Sequence, residues 1–318
     1  HIDCGLERRG WIQAARSRRG VAKLARRLRE WRGRGADVGW LERAEAERLL
    51  GTSRYRAAWI DRRAGVVQPL AYVRGLAAAA TKLGADVRTG VRVTALHRRD
   101  GAWGVETDHG VAHAACVVLA TNVRTGDVEG EGVAAAARSF VPAYSVQIAT
   151  EPLPASLRAT LLPERHCASD ASHLHLRYFR YDADGRFLMG GPGWLRAPHD
   201  ADAGVFRRLE RSTRAMFPQL DGIAFVHHWA ARDGFTADLL PHILEPAPGV
   251  LCAPGCNGRG LAIGTVLGEL LARRAGGEPA SAMPFPTTDP GAVPAGIGSA
   301  ARLYARVAMQ RLRRRLRA

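Results

Sequence analysis

The sequence predicts an α/β chain in which a parallel-sheet part is interrupted by a mainly antiparallel α+β block. Three observations predict it. The run Cys116-Val117-Val118-Leu119-Ala120 is apolar at every position, the mark of a strand buried on both faces of a parallel sheet. Between Ser139 and Ala231 the pattern is mainly strands, at Tyr144 to Thr150, Leu174 to Tyr181, Arg186 to Gly190 and Ile223 to Trp229, with one helix near Ala203 to Met216. The length of 318 residues exceeds the usual single core and favours one large or two interleaved domains.

Element by element, Val21, Leu24, Leu28 and Trp31 recur at helical spacing and predict an amphipathic helix from Ala14 to Arg32. A short helix follows at Leu41 to Leu50, then an extended piece at Tyr55 to Ile60 and a turn at Gly65. Pro69 suits a first helical position, Leu70, Val73, Leu76, Ala77, Ala80 and Leu83 continue one apolar face, and Gly84 ends it. Short strands are expected at Val91 to Leu96, Trp103 to Thr107 and Val111 to Ala114, and a crossing loop at Gly126 to Ala137. Val250 to Ala253 reads as a strand, Gly255 to Gly260 as a glycine-rich turn, and Leu261 to Arg274 as a helix. Residues Ala280 to Gly298 are Pro- and Gly-rich, and a basic amphipathic helix is expected from Ala300 onward.

The formal charge is +16, which invites a polyanion partner. Only Lys23 and Lys82 are lysines, so arginine supplies nearly all of it, as a codon bias would. No nucleic-acid-binding module is recognisable, and the basic clusters at Arg16 to Arg34 and Arg311 to Arg317 read as solvated helix faces. Nucleic acid is therefore not expected as a partner. Five scattered cysteines (Cys4, Cys116, Cys167, Cys252, Cys256) argue against a disulfide framework and fit a reducing cytoplasm. Cys252 and Cys256 lack a second pair, and His173 with His175 or His227 with His228 make no convincing ligand set, so no metal is expected. No apolar stretch is long enough to span a bilayer. The chain opens at His1, without a leader and within sequence that reads as ordered, so it is expected to be a piece of a longer protein.

The chemistry concentrates in Gly255-Cys256-Asn257-Gly258-Arg259-Gly260-Leu261-Ala262. Glycines let backbone approach a ligand closely, and the helix that follows aims its positive end and free N–H groups into the turn. Such a device suits the pyrimidine end of a flavin, where charge accumulates on two-electron reduction. Further marks are Val-Val-Leu-Ala-Thr-Asn ending at Asn122, His228-Trp229-Ala230-Ala231, then Thr236, Asp238, Pro241 and Ile243. Ile2-Asp3-Cys4 with Gly10, Gly75-Leu76, Gly84-Ala85, and Arg180 with Gly185 to Gly191 complete the set. Together they resemble the D-amino-acid-oxidase-like family of FAD-dependent oxidoreductases, in particular its glycine-oxidase, D-amino-acid-dehydrogenase and gamma-glutamylputrescine-oxidoreductase group. The resemblance runs from His1 to about Gly277.

That resemblance implies an incomplete Rossmann-like FAD-binding domain interleaved with a mainly antiparallel substrate domain. FAD-binding parts would be residues 1–137 and 246–277, the substrate domain 138–245, and a linker with the basic helix 278–318. FAD would be held by Val93 through its backbone, by Thr121 and Asn122, and by Gly255, Asn257, Gly258, Arg259, Gly260, Leu261 and Ala262. Arg180, Arg186, Asp233 and Thr236 would lie toward the substrate. The implied activity is hydride transfer from a C–N bond of an amine or amino acid to FAD, followed by imine hydrolysis. Two departures stand out. No G-x-G-x-x-G fingerprint is present, so a fragment unable to hold FAD is the alternative. Asp233, with Arg232 beside it, stands where the family's amino-acid oxidases carry an arginine, and Ala231 replaces a glycine, which favours a cationic amine. A weaker alternative is contact with an anionic surface through Ala300 to Ala318.

Overall fold

The computed structural model describes residues 2–171, 177–192, 203–236, 238–285 and 287–288. In chain order the first elements are β1 (Trp11–Ala15), α1 (Arg18–Arg32), β2 (Val38–Leu41), α2 (Arg43–Leu50), β3 (Ala57–Asp61) and α3 (Pro69–Lys82). Next come β4 (Val93–Arg99), β5 (Ala102–Thr107), β6 (Gly110–Ala114), β7 (Val117–Leu119), β8 (Glu129–Gly130) and α4 (Val133–Arg138). Then follow β9 (Val141–Pro152), α5 (Ala155–Arg158), β10 (Cys167–Asp170), β11 (Arg177–Tyr181), β12 (Arg186–Pro192) and α6 (Ala203–Arg214). The last are β13 (Phe225–Phe235), β14 (Ile243–Ala247), β15 (Val250–Cys252), α7 (Gly260–Ala275) and β16 (Thr287–Thr288).

Two compact units result: His1–Val87 with Tyr144–Ala231, and Arg88–Ala143 with Arg232–Ala318. The first holds an eight-stranded sheet in the order β13-β9-β12-β11-β10-β1-β3-β2. Its β1 runs parallel to β10 and antiparallel to β3. The other registered pairs are antiparallel, as expected for this block. One face buries Ile12, Ile148, Phe179, Phe187 and Met189 against Leu49 and Leu50 of α2 and Leu209 of α6. Phe217 stacks edge-on against Phe179 and Phe187, with ring centroids 5.1 and 5.3 Å apart. At the β1-β3-β2 end the other face is covered by α1, whose Leu24 and Leu28 pack on Val38 and Trp59.

Several sequence expectations need correcting here. The helix expected from Ala14 begins at Arg18, because Ile12 to Ala15 are buried between two strands and Ser17 accepts the Gly20 N–H at 3.1 Å as an N-cap. Leu41 belongs to β2, and its helix starts at Arg43. Pro69 does open α3, and Gly84 follows it at φ +95°. Yet the α3 stripe stays in solvent: Leu70 is 52%, Val73 55% and Leu83 88% exposed. The compact units also cut the chain differently from the expected 1–137, 138–245 and 246–277. Residues 1–87 join the antiparallel block because β1 sits inside its sheet. His173, His175, the first residues of the expected Leu174 strand and the helix from Ala300 lie outside the described residues.

The second unit has two four-stranded sheets, β16-β14-β15-β7 and β6-β5-β4-β8. In the first, β15 runs parallel to β7 while β14 is antiparallel to β15. The crossing loop expected at Gly126 to Ala137 contains α4 instead, because Val133 and Ala136 are buried in one core with Leu96, Trp103, Leu244 and Val250. The run from Cys116 is not buried on both faces. Strand β7 is the sheet's edge, and Val118 is 40% exposed. No helix among the described residues is long and apolar enough to cross a membrane.

Candidate flavin-facing turn and substrate face

Strands β15 and β7 register Val250 with Val117, Leu251 with Val118 and Cys252 with Leu119. Their carboxyl ends therefore lie side by side, one leading into the glycine turn and the other into Thr121 and Asn122. In open α/β sheets ligands bind outside such strand ends. The approach is close: a Cβ on Gly234 would stand 2.9 Å from Asn122 Oδ1, and the Gly234 carbonyl accepts the Asn257 N–H at 3.3 Å.

The turn has a braced half and an open half. At Gly255, φ is +97°, and a Cβ would come within 2.5 Å of the Leu240 carbonyl oxygen and 2.8 Å of Thr236 Cγ2. This glycine is demanded by packing. Asn257, at φ +51° and 9% exposed, accepts the Thr236 N–H on Oδ1 at 3.0 Å and donates from Nδ2 to the Gly255 carbonyl at 2.6 Å. Thr236 is 1% exposed, and its hydroxyl donates to the Leu240 carbonyl at 2.7 Å. Thr236, expected toward a substrate, braces the turn through these bonds.

Beyond Asn257 the backbone opens. Gly258 has φ +79° and no neighbour closer than 3.7 Å to its Cβ position, and a Cβ on Gly260 would meet nothing within 4 Å among the described residues beyond its chain neighbours and its own helix. Gly258, Arg259, Gly260, Leu261 and Ala262 are all exposed. Arg259 occupies the N-cap of α7 without a side-chain cap, and the first turn holds no acidic residue. A cation where the helix dipole is already positive is unfavourable unless negative charge is met there. The free amides, the arginine and the missing side chains fit the pyrimidine edge of a flavin.

Other expected residues divide between the units. In the second, Thr121 Oγ1 lies 2.8 Å from Thr125 Oγ1, and Asn122 takes φ +48°. Val93 heads β4 opposite Thr107, with a register shift before Ala95. Asp233 accepts from the Cys256 thiol at 2.6 Å. Burial first, then that bond, pushes the Cys256 thiol up to about 11. In the first unit, Arg180 donates to the Tyr181 carbonyl at 3.1 Å, and burial pushes its guanidinium below the usual range. Arg186 is held by Asp182 and Asp184 in the β11–β12 turn. It also lines an open cavity of about 630 Å³ together with Asp182, Leu188, His227, His228 and Trp229.

One residue escaped the sequence reading. Tyr178 stands opposite Gly190 in the register, where a Cβ would fall 2.0 Å from its ring, and its hydroxyl lies 2.6 Å from Ser145 Oγ. Arg180 projects from the same side of β11 by strand alternation. The signal available was the Gly190-Gly191 pair at the end of an apolar strand.

Parallel strand ends that lead into an open, uncapped helix entrance make the kind of crevice at which α/β folds receive anionic and nucleotide ligands. The comparison with known proteins is specific. Residues 1–274 match the family described as FAD dependent oxidoreductase, and the chain belongs to that family, whose cofactor is FAD. A probable oxidoreductase OrdL of Rhizobium meliloti is 29% identical over 76% of this chain and 54% of its own length. Gamma-glutamylputrescine oxidoreductase of Escherichia coli is also 29% identical, over 85% of this chain and 62% of its own length. The chain therefore spans a little over half the length of these curated relatives. Glycine oxidase from Geobacillus kaustophilus shares the fold, with a TM-score of 0.76 at 22% identity over 90% of this chain and 76% of its own.

Proposed function

We propose that this chain carries the flavin-ring and substrate-facing parts of an FAD-dependent oxidoreductase that oxidises a C–N bond of an amine or amino acid. The carrying observation is the open entrance of α7, where Gly258 and Gly260 leave space and Arg259 adds charge. Arg259, Gly260, Leu261 and Ala262 would face the ring's pyrimidine edge, with Thr121 and Asn122 at the neighbouring strand end and Val93 toward the adenine half. Gly255 and Asn257 hold this loop in shape. FAD, when bound, supplies a two-electron acceptor for the hydride leaving the substrate's α-carbon, and the imine then hydrolyses in water.

Arg180 and Arg186 in the first unit, and separately Asp233 and Thr236 in the second, are the residues proposed for substrate contact. The carboxylate of Asp233 favours a cationic amine, and the name of the Escherichia coli relative points to a polyamine derivative. Five thiols without disulfide partners are compatible with a cytoplasmic setting. The direct test is titration of the chain with FAD, read by quenching of flavin fluorescence, followed by anaerobic bleaching with a panel of amines and amino acids. Arg259→Gln is expected to weaken FAD at least several-fold with no loss of stability. Undiminished affinity in that variant would dismiss the entrance of α7 as the ring site.

A second reading has its own observation. The 318 residues hold no G-x-G-x-x-G, β7 is an edge strand among the described residues, and Leu261 and Val266 are 41% and 46% exposed on α7. On this reading the chain alone does not retain FAD. Absence of quenching by the chain, with quenching restored by a fingerprint-bearing βαβ segment, would distinguish it.

A further inference from the structure

Helix α1 belongs wholly to the first unit and lies flat on its sheet through Leu24 and Leu28. Its outward arc carries Arg18, Arg19, Lys23, Arg26 and Arg29, all exposed. By helical spacing these share one side, and Arg18 to Arg29 extend along about 17 Å of axis at 1.5 Å per residue. Glu30 is the sole acid within α1, 3.7 Å from Arg26. Burial and then the charges of Arg27, Arg26 and Arg19 pull the Lys23 ammonium below its ordinary value, so the row is crowded enough for its members to repel one another. Trp31, 40% exposed and beside Arg63, follows Leu24 and Leu28 in helical spacing and so lies away from the row.

A codon bias toward arginine accounts for the chain's overall charge, and seating through Leu24 and Leu28 gathers five of the seven cations of α1 on its outward side. Such a row costs self-repulsion unless an extended negative surface neutralises it. We propose that the solvent face of α1 docks on an anionic phospholipid surface, the cations meeting headgroup phosphates. The geometry favours a lipid surface over nucleic acid. Because α1 is seated on its own sheet, it presents a side rather than a protruding end, and it cannot enter a groove to read bases. The inference is independent of the redox assignment.

The test is co-sedimentation of the full chain with phosphatidylcholine vesicles, with and without phosphatidylglycerol. Binding is expected only with phosphatidylglycerol and should vanish near 1 M salt, where the screening length is about 3 Å. Neutralising three cations together (Arg18→Gln, Arg26→Gln, Arg29→Gln) should weaken binding roughly 100-fold, at about 1 kcal/mol per cation. The matching lysine triple should restore it, which separates charge from any folding defect. An equal neutralisation at Arg92, Arg98 and Arg99 should change little. Binding that survives the α1 triple, or that disappears only when residues 300–318 are removed, overturns the proposal. So does tighter retention on duplex DNA than on anionic vesicles.

Discussion

Helices α1 and α7 enter the fold in opposite ways. At α1 an orphan amide is met by the chain itself, since Ser17 Oγ accepts the Gly20 N–H. At α7 the N-cap is Arg259, with no side-chain acceptor among the described residues and a positive charge added to a positive end. The flanking surfaces differ as well. Helix α1 turns cations to water, while the first turns of α7 expose Leu261 and Val266 and carry no charge before Glu269. The comparison separates a helix end completed by local sequence from one left open for something else. The open end is nevertheless the more heavily braced, by Gly255, Asn257 and Thr236.

That contrast can be broken from its strongest point downward. Gly255→Ala should lose about 3 kcal/mol or more by urea midpoint, combining a left-handed backbone cost with overpacking against Leu240. Gly260→Ala, three residues past Asn257 in open space, should stay within about 1 kcal/mol and even gain from helix propensity, while weakening FAD. If both variants lose equally, the division into braced and open halves is wrong. Asn257→Ala should cost about 2–3 kcal/mol, because it orphans the Thr236 N–H and the Gly255 carbonyl at once.

Smaller effects sharpen the comparison. Ser17→Ala should lose about 1 kcal/mol through its cap, measurable in the thermal midpoint. The thiol inside the braced half gives a pH signature. Cys256 keeps its proton in the fold up to about 11, against an ordinary value of 9.0. Between those limits the folded state binds more protons than the unfolded chain, so stability falls as pH rises through the window. Substitution to serine should flatten that part of the curve. An identical alkaline slope in Cys256→Ser would remove the thiol from the account.

Much of the outline was legible because it rests on local rules. Pro69 at a helix start, Gly84 after its end, the strand at Val250 and the glycine turn before α7 follow from backbone chemistry. The strand at Trp11 to Ala15 was not legible. Its apolar Ile12, Ala14 and Ala15 also fit a helix face, and only pairing with β3 and β10 decides between them. Helix α4 was hidden in the same way, since its small residues read as a loop until Val133 meets the Leu244 core.

The site divides along the same line. By itself the sequence determined that Gly255 to Ala262 is a tight bend followed by a helix, because glycine content and spacing act within a few residues. It also placed the family, through motifs spread over the chain. Only the tertiary structure decided which members of that bend are structural and which are free. Gly255 and Gly260 are the same letter, yet one faces the Leu240 carbonyl and the other faces open space. Steric contact depends on neighbours distant in sequence, and no local pattern records them.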